Sequence, residues 1–112
     1  MEDSETVEAI AARLGARLLD NRGPEGWAWL IDLARLDMKL PIFDSPDPSS
    51  CGCVLAQLAG SYRRGIDLMG LDFEDLVDLG FTTPRLVVGN DLRRSWGELT
   101  LAWKSEIESR RA

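Results

Sequence analysis

Cys51-Gly52-Cys53 is the first constellation in the chain whose residue types could do chemistry. Thiolates are nucleophiles and soft-metal ligands, and a helix N-terminus lowers a cysteine pKa. A structural zinc ion takes four ligands, however, and the chain holds only these two cysteines and no histidine. A metal or redox centre would need ligands from a second copy. The simpler reading makes Cys53 a small core residue and Cys51 its neighbour. The missing histidine also removes Ser-His-Asp and Cys-His catalysis and any imidazole pH switch. The expectation is a non-enzymatic protein with no cofactor and no resident metal.

Asp67, Asp72, Glu74, Asp75 and Asp78 form an acidic run with no base between them. Paired carboxylates can hold a divalent ion, but this spacing lacks the alternating ligands and late bidentate Glu of a calcium loop. A solvated helix face explains the run most simply. The sharper alternative is a patch at Asp72, Glu74, Asp75 and Asp78 that imitates nucleic-acid phosphates and occupies a basic site on another protein. Such binding weakens steeply with salt. Arg63-Arg64 beside Tyr62, and Arg93-Arg94 near Trp96, place cations close to aromatics, as single-strand binders do. Here the aromatics fall on apolar stripes, so core packing accounts for them. No glycine-rich phosphate loop is present.

Charge supports that exclusion. The chain has 112 residues, 19 acidic and 13 basic, net −6. Direct nucleic-acid binding starts at a disadvantage. Residues 1–84 carry 15 acids and 7 bases, whereas 85–112 carry 4 acids and 6 bases. No apolar run approaches the roughly 18 residues of a membrane span. Met1-Glu2-Asp3-Ser4-Glu5 lacks the basic and apolar regions of a signal peptide, so a cytoplasmic setting is expected. The length suits one domain, 1–112.

The elements that must position these groups are helical. Val7, Ile10, Ala11, Leu14 and Leu18 form an apolar stripe on a helix from about Ser4 to Leu19. Pro24 suits the first position of a second helix running to about Leu36, with Trp27, Leu30, Ile31 and Ala34 on one face. Trp27 and Trp29, two residues apart, cannot both face one core, which sends one of them to a groove or interface. Pro41, Pro46 and Pro48 mark 40–50 as a loop, with Ile42 and Phe43 tucking under it. A third helix spans Cys51 to Met69, weakened at Gly60 and Gly65 and ended by Gly70. Gln57 and Tyr62 are polar residues on or beside it, suited to hydrogen bonds inside the bundle.

Asp72 caps a short fourth helix that stops at Gly80, with Leu71 and Leu76 placed as a hydrophobic staple. Leu86-Val87-Val88 is β-prone but too short for a sheet. Asn90 caps the last helix, where Leu92, Trp96, Leu99, Trp103 and Ile107 share a face. The sum is all-α: a compact bundle of four longer helices plus one short one, with no substantial sheet.

Cys53-Val54-Leu55-Ala56-Gln57-Leu58-Ala59-Gly60-Ser61-Tyr62 is the centre of a wider pattern. Leu36-Asp37-Met38 precedes it. Gly65, Leu71, Leu79-Gly80-Phe81 and Leu99-Thr100-Leu101-Ala102-Trp103-Lys104-Ser105-Glu106-Ile107 follow. This pattern resembles small uncharacterised proteins of actinobacteriophages and actinobacterial genomes. The resemblance implies a phage or prophage setting in a bacterial host cell, carries no activity and assigns no catalytic residue. Cys51 and the longer Thr82–Asn90 connection depart from the pattern.

The function expected is therefore that of a small phage-type accessory protein that binds a host protein. Trp29 and Phe43, which sit awkwardly in a monomer, are the residues expected to carry the contact.

Overall fold

The computed structural model describes residues 6–38, 53–60, 62–81 and 90–112, and these are mostly helical with no strand among them. Phe43, Cys51, the proline-rich stretch and Leu86–Val88 lie outside the described residues.

Helix α1 runs Val7–Arg22. It starts where Thr6 Oγ1 accepts the Ala9 N–H at 3.1 Å, which satisfies one of the free donors of the first turn. α2 is only Trp27–Leu30. α3 is Val54–Ala59, α4 Tyr62–Met69, α5 Phe73–Asp78 and α6 Asn90–Arg111. Four longer helices and a short one were expected. Among the described residues there are six, and only α1, α4 and α6 reach seven residues or more.

Two breaks account for the difference. The second helix stops early because its carbonyls and the following backbone are claimed from outside. Arg111 donates to the carbonyls of Ala28 and Ile31. The Gln57 side chain accepts from the Asp32 N–H at 2.6 Å and donates to the Asp32 carbonyl at 3.3 Å. Ile31 turns extended, and Leu30 and Ala34, expected inward, face solvent. The third helix divides at Gly60, whose φ of 92° no helix accommodates and which an L side chain rarely adopts.

The core lies between α1, α6 and the 27–38 stretch, closed by α3 and by the turn after α5. Leu99, Trp103 and Ile107 of α6 are fully buried, as their spacing predicts. Trp103 is the centrepiece. Its indole N–H donates to the Gly80 carbonyl at 2.7 Å, its ring stacks on Phe81 with centroids 5.4 Å apart, and Trp27 meets it edge-on at 6.2 Å.

The seating of α1 differs from the expected one. Ala11, Ala12, Gly15, Ala16 and Leu19 face the core, while Val7, Ile10 and Leu14 are exposed. A Cβ on Gly15 would stand 2.0 Å from the Leu79 carbonyl oxygen and 2.8 Å from the Trp103 ring. Only a face of small residues lets α1 approach that closely. Glu8, in the first turn of α1, is also wholly buried.

Candidate interaction surface

The surface that the sequence singles out is built around the α1–α2 turn. Gly23 ends α1 by donating to the Leu19 carbonyl, and Pro24 leads into α2. Gly26, at φ 72°, turns the chain into α2, where the two tryptophans, two residues apart, diverge. Trp27 is buried against Trp103. Trp29 is 65% exposed and its neighbour Leu30 is 57% exposed.

The last turn of α6 holds this corner. Arg110 clamps the Asp20 carboxylate, with Nε at 2.9 Å from Oδ1 and a terminal nitrogen at 2.9 Å from Oδ2. Its other terminal nitrogen lies 2.9 Å from Glu106 Oε1. The Trp27 indole N–H donates to the same Asp20 oxygen at 3.0 Å. Arg110 also lies 5.7 Å from the Trp27 ring centroid. The Arg110 hydrogen bond, more than the Trp27 one, holds the Asp20 carboxyl below its usual range against the opposing effect of partial burial. Asp20 and Glu106 in turn push the Arg110 pKa upward.

Arg111 does the equivalent for Trp29. While bonded to the Ala28 and Ile31 carbonyls, it sits 5.2 Å from the Trp29 ring centroid. Trp29 is thus exposed and also supported from beneath. Beside it is a cleft of about 520 Å³ lined by Asp20, Pro24, Glu25, Trp27, Trp29 and Arg110. Within this lining Arg110 and Asp20 are paired with each other. The cleft presents an aromatic face with apolar and charged surroundings.

The other expected residues fall elsewhere. Asp72 and Asp75 form a capping box, with Asp72 Oδ1 accepting from the Asp75 N–H at 2.8 Å and Asp75 Oδ2 from the Asp72 N–H at 3.1 Å. Two carboxylates of the acidic run therefore serve the start of α5. Glu74 and Asp78 are exposed one helical turn apart. Cys53 is buried and caps α3, its Sγ accepting the Ala56 N–H at 3.4 Å. Among the described residues no three Cys, Asp or Glu side chains gather as a metal cluster, and no helix is long and apolar enough to cross a membrane.

Nothing in the sequence pattern brings Asp20, Arg110 and Arg111 forward as site residues. No local signal links residues 90 positions apart. Comparison with known proteins finds no matching family model, no matching curated protein and no matching solved structure.

Proposed function

We propose that this chain is a small accessory protein that works by binding another protein, with Trp29 as the anchor of the contact. In the setting that the sequence resemblance implies, the partner is a host protein in the bacterial cytoplasm. The observation that carries the reading is an exposed tryptophan with a cation on one face: Arg111 lies 5.2 Å from the Trp29 ring centroid while both Trp29 and Leu30 stay open to solvent. Tryptophan is enriched where truncation costs about 2 kcal/mol or more.

The test is a tagged capture from an actinobacterial lysate, with nuclease treatment, comparing the wild-type chain and Trp29→Ala by mass spectrometry. One dominant protein, retained after nuclease and lost with Trp29→Ala, is expected. The variant keeps its fold, since the Arg111–Trp29 contact is worth only about 0.5–1 kcal/mol at an exposed site. A protein captured equally by both forms would remove Trp29 from the interface. A variant that unfolds would make Trp29 structural instead.

A further inference from the structure

A second concavity lies on the other side of Pro24, which lines both. It is a groove of about 310 Å³ between the end of α1, α3 and α4. Its walls include Leu19, Leu55, Leu58, Leu68 and Met69, and Arg22 is its one charged lining residue among those described. The volume falls at the small end of ligand pockets, which run from about 300 to 1,000 Å³.

Three observations narrow the occupant. Leu68, on the rim, is 68% exposed, so part of the groove's apolar wall faces water when empty. Among the described residues the lining contains no hydroxyl, amide or carboxylate side chain. A peptide laid into it would bury backbone groups without side-chain partners, whereas an alkyl chain needs none. At the mouth, Arg22 makes no ion pair with any described residue, and its fork suits a carboxylate.

We propose that this groove binds a medium-chain aliphatic carboxylate, its alkyl chain lying along the apolar wall formed by Leu19, Leu55, Leu58 and Leu68 and its carboxylate on Arg22. Affinity then rises about fourfold per added methylene until the groove is filled. The charge selects carboxylate over a cationic head of equal chain length.

The experiment titrates the labelled full chain with hexanoate, octanoate and decanoate below micelle formation, with decyltrimethylammonium as the charge control, and follows backbone amide shifts. Saturable shifts at Leu58, Leu68 and Met69 are expected, with the chain-length trend above. Leu68→Glu, on an exposed rim, abolishes them without unfolding the protein. Arg22→Gln weakens decanoate about fivefold and leaves the control unchanged. Trp29→Ala has no effect, so this site and the proposed protein contact fail separately. The proposal is overturned by shifts that never saturate, by equal binding of the cationic control, or by an acidic amphipathic peptide filling the groove where decanoate does not.

Discussion

The two faces of α1 are opposite in kind to what hydrophobicity alone would arrange. The inner face carries Ala11, Ala12, Gly15 and Ala16, the last at 0% exposure, and reaches a large side chain only at Leu19, while the outer one carries Val7, Ile10 and Leu14 at 47%, 42% and 41%. Burying a Val, Leu or Ile side chain is worth about 1.5–3 kcal/mol. The helix forgoes part of that because the space beside it is already filled by Trp103 and by the backbone at Leu79 and Gly80. Close packing of a large aromatic against a small-residue face takes precedence over burying the larger side chains of α1. The same contrast recurs two residues apart in α2, where Trp27 enters the core and Trp29 stays out.

The sharpest way to break the contrast is to enlarge the inner face. Gly15→Leu forces atoms into the Leu79 carbonyl and the Trp103 ring, and a loss of at least about 4 kcal/mol is expected in urea unfolding. If that variant unfolded at the wild-type urea midpoint, the small-residue seam would not be what seats α1. Next in size is Trp27→Ala. It removes a buried ring and strands the Asp20–Arg110 pair beside a cavity, for about 3 kcal/mol or more. Trp29→Ala, measured by the same unfolding curve, should cost far less.

Asp20→Asn is smaller again. The Asp20 carboxylate is substantially exposed, so screening limits its pair with Arg110 to about 1 kcal/mol or less. Its folded pKa lies below the ordinary aspartate value. The pair's contribution is therefore complete above the unfolded pKa and is lost as pH falls through the lower folded value. Acid titration of stability should show this limb in the wild type and not in the variant. The smallest effect belongs to the outer face of α1. Ile10→Ser with Leu14→Ser should shift stability by about 0.5 kcal/mol or less per site. A large loss there would mean that the stripe is packed after all.

Much of the local structure was legible. The Asp72 cap, the Gly70 and Gly80 stops and the Leu99, Trp103 and Ile107 face all follow from residue type and spacing, because each depends on contacts within a turn or two. The divergence of Trp27 and Trp29 follows from helical geometry in the same way. The early end of α2 did not, because it depends on Gln57 and Arg111, 25 and more than 80 positions from their backbone partners in sequence. Of the expected site residues, Trp29 lies on the supported aromatic corner, whereas Asp72 and Asp75 are committed to a helix start.

By itself the sequence determined that the protein is helical, where α4 stops and where α5 starts and stops, and that its chemistry has no histidine to draw on. Those properties reside in single residues and in periods of three or four. Only the tertiary structure decided which stripe of α1 is buried, which tryptophan is exposed, and that the last turn of α6 secures the corner between α1 and α2. Each of these depends on how much room a distant element leaves. A pattern of apolar and polar letters records preference for burial but not the shape of the space available.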